Sequence, residues 1–316
     1  MENVYLKRLV VALGGNAILQ YNEKGTKEEQ IANLKRTCVQ LAPIIASWYQ
    51  VVITHGNGPQ VGNILIQNHC AKNRAPAMPL DVCGAESQGQ IGYLFNKTLS
   101  FQLAKLGKTT EVCTLMTLVM VDLSDVAFTN PSKPIGPWLQ YEDMIQSKQE
   151  EEKWIENKGK GWRKIVASPK PVRILNSSAI AVLLNNGYTV IACGGGGVPV
   201  VETVDGELRG IEAVIDKDLA SAHLASEINA HILLILTDVS ALFLGFETKD
   251  QKEIRQIHVN ELKDLYDSRI FPAGSIGPKV EAAIYFVEQG GERAIIARLD
   301  EVENALKGIN GTTVIR

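Results

Sequence analysis

Short apolar runs of Val, Ile and Leu recur at wide spacing along this chain, at residues 9–13, 51–54, 112–121, 190–193, 232–237 and 294–297. Runs of this length without alternation predict strands covered on both faces, as in a mostly parallel sheet. The segments between them carry a helical period. Residues 26–49 put Ile31, Leu34, Cys38, Leu41 and Ile45 on one face behind Thr26 and Glu29, which have capping-box spacing; Pro43 is expected to kink or shorten that helix. Further helices are predicted at 88–106, 177–186, 218–228, 259–266 and 278–288. Strands alternating with helices imply an α/β layered fold with ligands at the carboxyl ends of the strands. Residues 122–171 break the rhythm with prolines, most of the tryptophans and the charged run KQEEEKW. They read as an excursion from the sheet, a small subdomain or lid, against the plainer alternative of a long solvated connection.

Within this pattern the glycines cluster directly after predicted strands: LVVALGGNA at Gly14 and Gly15, VVITHGNGPQVG at Gly56 and Gly58, and VIACGGGGVPV at residues 194–197. Glycine there permits positive φ and lets a ligand approach backbone N–H groups closely. One such turn is explained by tight packing. Three at the same ends of neighbouring strands predict a shared phosphate or carboxylate site. Familiar local signatures are absent: Pro199 stands where GxGxxG needs its last glycine, GSIGPKV lacks Walker A spacing, GAESQG has one residue too many before Ser87 for a nucleophile elbow, and no HExxH occurs.

Three lysines supply the charge: Lys133 in NPSKPIGPW, Lys217 in EAVIDKDLA and Lys279 in GSIGPKVEAA. Lys217 lies between Asp216 and Asp218 at a predicted helix start, where the helix dipole favours anions, and a bound phosphate would reverse that preference. Lys279 follows Pro278, a residue suited to a first helical position.

Composition narrows the class. A length of 316 residues fits one large α/β domain or two lobes, and 45% hydrophobic with 21% charged residues excludes a disordered chain. Thirty-two basic against thirty-five acidic residues leave a net charge of −3, which gives no support for nucleic-acid or membrane-surface partners. The five cysteines are widely spaced without a CxxC pair, so neither a disulfide scaffold nor a protein-held metal is predicted. The opening MENVYLKRLVVALGG has only a strand-length apolar run, and the expected location is cytoplasmic.

Taken in order, VALGGNA, THGNGPQVG, PLDVCGAESQGQIGY, NPSKPIGP, KGWRKIVASPKP, GGGGVPV, GIEAVIDKDLA, ILTDV, GSIGPKVEAA and GTTVI run nearly end to end, and in them the chain resembles the carbamate kinase family of the amino-acid kinase superfamily. The resemblance implies a three-layer α/β sandwich around an eight-stranded, mostly parallel sheet, with a protruding subdomain at about 122–171. It implies a carbamate lobe over 1–210 and a nucleotide lobe over 211–316. The implied reaction is reversible phosphoryl transfer between ATP and carbamate, with nucleotide-bound Mg2+, running towards ATP in arginine fermentation, in a homodimer.

Carried over by motif, Gly14, Gly15, Asn16, Gly56, Asn57 and Gly58 would surround carbamate and the transferred group, with Gly195 and Gly196 lining the same region. Lys217 and Lys279 would neutralise charge, Asp216 would orient them, and Lys133 would reach in from the excursion. Thr237, Asp238 and Ser275, with the two helix-start lysines, would contact nucleotide. The chemistry agrees, because carbamate is already an anionic nucleophile; catalysis then reduces to positioning and charge neutralisation, and no general base is required. Departures from the family pattern fall at Gly245, around Glu247 and Lys249, and at Glu86 and Asn157. Alternatives are a sister kinase acting on another small carboxylate or phosphonate, and a catalytically silent nucleotide sensor.

Overall fold

A computed structural model describes residues 6–20, 23–47, 49–147, 152–159, 161–246, 248–272 and 276–316. The first strands and helices are β1 (Lys7–Leu13), α1 (Lys27–Ala46), β2 (Tyr49–His55), α2 (Gly58–Ala71), α3 (Leu80–Lys105), β3 (Val112–Thr114) and β4 (Leu118–Val121). The excursion holds α4 (Val126–Thr129), β5 (Lys133–Leu139), α5 (Tyr141–Ser147), β6 (Lys153–Asn157) and β7 (Gly161–Val166). The chain continues through β8 (Pro171–Ile174), α6 (Ser177–Asn185), β9 (Thr189–Ile191), β10 (Val198–Glu202), β11 (Leu208–Gly210) and α7 (Lys217–Glu227). It ends with β12 (Ile232–Thr237), β13 (Leu242–Leu244), β14 (Lys252–Ile254), β15 (Gln256–His258), α8 (Val259–Asp267), α9 (Gly277–Glu288), β16 (Arg293–Arg298), α10 (Val302–Leu306) and β17 (Thr312–Ile315).

The central sheet has eight strands in the order β15-β17-β16-β12-β1-β2-β9-β3, parallel except between β16 and β17. Alternate residues of β1 point to opposite faces, so Leu9, Val11 and Leu13 pack under α1, α3 and α10, while Val10 and Ala12 pack with α6, α7 and α9. The expected three-layer sandwich is therefore present. Strands from both sides of residue 210 share this one sheet and meet where β1 pairs with β12. From that join, β2 extends the sheet one way and β16 the other, so the strand order reverses beside β1; such a crevice binds ligands in open α/β sheets.

Local chemistry fixed most of the elements. Thr26 and Glu29 form the capping box that starts α1, and Leu34, Cys38, Leu41 and Ile45 are buried beneath it. Pro43 sits in its last turn, and the helix ends three residues later. Two expectations change. The apolar run 112–121 is two strands, β3 in the central sheet and β4 in a second sheet ordered β11-β10-β4-β8. The chain leaves the first sheet at buried Thr117, whose amide donates to Gln88 Oε1 at 2.9 Å and whose hydroxyl oxygen accepts from the Cys193 amide at 3.0 Å. Helix α3 starts eight residues before the predicted 88, behind Pro79. Its glycines lower helix propensity but let it pack closely: a Cβ on Gly92 would lie 2.1 Å from Thr114 Cγ2.

The excursion carries its own antiparallel sheet, β5-β7-β6. Ile135 and Val166 pack it onto Val61, Ile64 and Leu80 of α2 and α3.

Candidate active site

At the end of β1, the Gly14 amide donates to the Leu236 carbonyl of β12 at 3.1 Å. A Cβ on Gly14 would come 3.2 Å from that same oxygen. Added Cβ atoms at Gly15, and at Gly58 in the first turn of α2, would meet nothing within 4 Å, so both backbones border open space. The two turns adjoin, since a Cβ on Gly56 would lie 3.6 Å from Lys217 Cδ and 3.8 Å from Gly15 Cα.

Positive φ is confined to the third turn, at Gly195, Gly196 and Gly197; the glycines of the first two turns do not use it. At Gly14, Gly15, Gly56 and Gly58 glycine therefore serves for space rather than for conformation. Gly195, at φ +66°, leaves no room for any side chain, because a Cβ would fall 2.2 Å from the Asn57 amide group. Asn57 is held from behind: its Nδ2 donates to Ser87 Oγ at 2.8 Å, and Ser87 donates to the Gly84 carbonyl at 2.6 Å.

His55 lies under these turns, almost fully buried, with Nδ1 2.9 Å from the Gly56 carbonyl, which can only accept. Burial drives its pKa down to about 4 against the raising effect of that hydrogen bond, and the charge of Lys217 adds to the fall. The imidazole is thus a neutral brace.

The lysines gather on one helix start. Asp216 caps α7, accepting from the amides of Asp218 at 2.9 Å and Leu219 at 3.4 Å, and it also accepts from Lys133 Nζ at 3.2 Å. Asp218 accepts from Lys217 Nζ at 2.5 Å and from Lys279 Nζ, near the start of α9, at 3.0 Å. This corrects the expectation for Asp216: the carboxylate that orients Lys217 and Lys279 is Asp218, and Asp216 faces Lys133. Asp218 is 2% exposed. Burial alone would raise its pKa, but the charges of Lys217 and Lys279 and their hydrogen bonds outweigh it and hold the carboxyl below its ordinary value. Three ammonium groups against two carboxylates leave this cluster one positive charge in excess, beside open backbone, which suits an incoming phosphoryl group.

Asn16 Nδ2 donates to Asp238 Oδ2 at 2.7 Å. Thr237 and Asp238 line a cavity of about 620 Å³ at the ends of β1, β12 and β16, on the side of α1, with Arg36 and Arg298 across it. Ser275 lies outside the described residues, as does Glu247. Gly245 has φ +58°, a left-handed conformation that glycine adopts freely and asparagine also tolerates. Glu86 is exposed on α3.

Sequence reasoning missed Asp218, Ser87 and His55 as supports. The Asp-Lys-Asp pattern at 216–218 was a visible signal for the first, but which carboxylate meets which lysine depends on where α9 and the excursion arrive. Among the described residues no group of three His, Cys, Asp or Glu side chains is placed to hold a metal ion, and no helix is long and apolar enough to cross a membrane.

Residues 7–298 match the model of the Amino acid kinase family. The chain is 50% identical to carbamate kinase of Thermococcus kodakarensis over 317 residues, covering 98% of this chain and 100% of that one. It is 43% identical to carbamate kinase 1 of Enterococcus faecium, covering 98% and 99%. Among solved structures, carbamate kinase from Giardia lamblia bound to AMP-PNP superposes with a TM-score of 0.93 at 39% identity, covering 99% of each chain.

Proposed function

The chain belongs to the amino acid kinase family and, within it, to the carbamate kinases; on that premise we propose that its cleft transfers a phosphoryl group reversibly between ATP and carbamate through Lys133, Lys217 and Lys279. The observation that carries this reading is the pairing of Lys217 and Lys279 on buried Asp218, next to the open backbones of Gly15 and Gly58. Two anions must meet for the reaction to occur. Fixed ammonium groups and backbone amides offset their repulsion without reorganising, and that is the main term in such chemistry.

In this reading carbamate and the transferred group lie among Gly14, Gly15, Asn16, Gly56, Asn57 and Gly58, with Gly195 and Gly196 behind. Lys217 and Lys279 neutralise charge on the moving phosphoryl group, and Lys133 adds a third cation from the excursion. The nucleotide lies on the 211–316 side, with Ser275 and the segment from Thr237 and Asp238 beside it, and carbamate on the 1–210 side. Magnesium enters as part of the nucleotide substrate: Asp216, Asp218 and Asp238 already accept from Lys or Asn, and Mg2+ is commonly carried by substrate phosphates with several waters retained. We further read the protein as cytoplasmic, working towards ATP in arginine fermentation, and homodimeric; exposed Tyr93, Phe101 and Met116 on and beside α3 support a paired surface.

The test is ATP formation from ADP, magnesium and carbamoyl phosphate by the purified protein. Turnover is expected, and Lys217→Ala lowers kcat by about 10²- to 10³-fold, the usual cost of a lost charge-stabilising donor. No turnover by the wild type, or full activity in Lys217→Ala, overturns the reading. Phosphorylation of acetate or glutamate in preference to carbamate identifies a sister kinase instead.

A further inference from the structure

Lys133 reaches Asp216 from a separate small sheet, and the pair is too weak to place that sheet by itself. The Lys133 side chain is 43% exposed, and an ion pair in such a setting is screened by water and contributes little. Something else must set the distance between the excursion and α7.

The pairing of β5 with β7 indicates what does. Lys133 stands opposite Val166 and Ile135 opposite Lys164, so Lys164 lies two residues along β7 from the partner of Lys133. Its ammonium is clasped by two carboxylates, Glu152 Oε1 at 2.7 Å just before β6 and Glu212 Oε1 at 2.5 Å. Glu212 belongs to the short segment between β11 and Asp216. The same segment holds the other end of β7: Ala167 bridges Ala213 in parallel, and the Ala167 carbonyl accepts from the Val214 amide at 3.0 Å. Residues 212–214 therefore grip β7 on both sides of Val166 and then lead directly into Asp216 and Lys217.

Burial of Lys164, at 18% side-chain exposure, disfavours its charge, yet the two glutamates outweigh this and raise its pKa. Ile135 and Val166 fill the space beneath with apolar packing, which resists separation but is non-directional. The Lys164 bridge supplies direction together with the Ala167–Val214 hydrogen bond, and of the two it alone also engages β6 through Glu152.

We propose that Lys164 is a positioning residue, which through Glu212 and Glu152 ties the excursion to the 212–214 segment and so fixes the reach of Lys133 to the Asp216–Lys217 helix start. The inference rests on the role of Lys133 given above. It assigns Lys164 no contact with substrate.

The experiment is a double-mutant cycle on the full-length protein, reading kcat, KM for ADP and melting temperature. A catalytic group misplaced by about an ångström loses up to about 10²-fold in rate. Lys164→Met is expected to lower kcat by about 10-fold with KM for ADP unchanged, and Lys164→Arg restores it to within about twofold, because the bidentate cation still reaches both glutamates. Glu212→Gln, at a half-exposed position, gives a smaller loss of about threefold and carries the same test should Lys164→Met fail to fold. In a Lys133→Ala background neither substitution lowers kcat further, since there is no longer an ammonium to place. Wild-type kcat in both Lys164→Met and Glu212→Gln, or equal fold-losses with and without Lys133, overturns the bridge while leaving the role of Lys133 standing. Wild-type kcat in Lys133→Ala overturns the reading beneath it, and the bridge with it.

Discussion

Asp218 lies almost completely buried and holds Lys217 and Lys279 between the starts of two core helices, whereas Asp216, two residues away, shares a half-exposed lysine with a small sheet outside the main fold. Both clusters join lysine to aspartate. They differ in solvent. The buried carboxylate keeps its charge only because two ammonium groups compensate for lost hydration, so its removal strands two partly buried cations. In the other pair it is Lys133 that keeps water on one side, and its loss costs little because Asp216 still accepts from the amides of Asp218 and Leu219. Charge that is fixed in the core and charge that is delivered from an appendage should therefore respond to substitution in different ways.

The sharpest separation comes from Asp218→Asn. It should abolish ATP formation and destabilise the fold by about 3–5 kcal/mol, the usual cost of breaking a buried pair, read by urea unfolding. Lys133→Ala should lower kcat by about 10²-fold while changing stability by less than about 1 kcal/mol, and equal destabilisation by the two variants would erase the distinction. Gly195→Ala tests the core side without touching charge. Its Cβ must displace Asn57 and its φ of +66° disfavours a side chain, so a strain cost of about 1–3 kcal/mol and a raised KM for carbamoyl phosphate are expected, with Asn57→Ala in the same protein relieving the clash but not the backbone share.

The last effect is on pH. His55 and His223 are both held near pKa 4 by burial, against 6.5 for the ordinary side chain. Between these values the unfolded chain binds more protons than the folded one, so stability rises with pH from 4 to 6.5 and falls on acidification through the same window. Asp218 acts lower, because its depressed carboxyl keeps its contribution until the pH falls through that depressed value. Unfolding midpoints at pH 7 and pH 5 should differ, and His55→Gln should narrow the difference; a flat profile would mean that the core side is no more sensitive to acid than the excursion.

Legibility in the sequence followed the range of the forces involved. The capping box at Thr26 and Glu29, the unbroken apolar strands and the glycines after them are local, and each was readable within a few residues. The run 112–121 was misread because a chain that passes from one buried sheet to another stays apolar throughout, and the break at Thr117 is set by Gln88 and Cys193, both distant in sequence. Glycine at Gly14, Gly15, Gly56 and Gly58 was legible as a site marker but not in its cause: only Gly14 is short of room, against the Leu236 carbonyl of β12, while Gly15 and Gly58 border open space that neighbouring strands and helices leave.

What the sequence determined by itself was the alternation of strand and helix, the three glycine turns and the identity of the lysines, because these follow from periodicity, backbone freedom and charge. Only the tertiary structure decided that Asp218 rather than Asp216 holds Lys217 and Lys279, and that Lys164 stands between the excursion and the segment leading to α7. Those pairings join residues 61 and 48 positions apart, and a Coulomb interaction selects its partner by distance and burial in space.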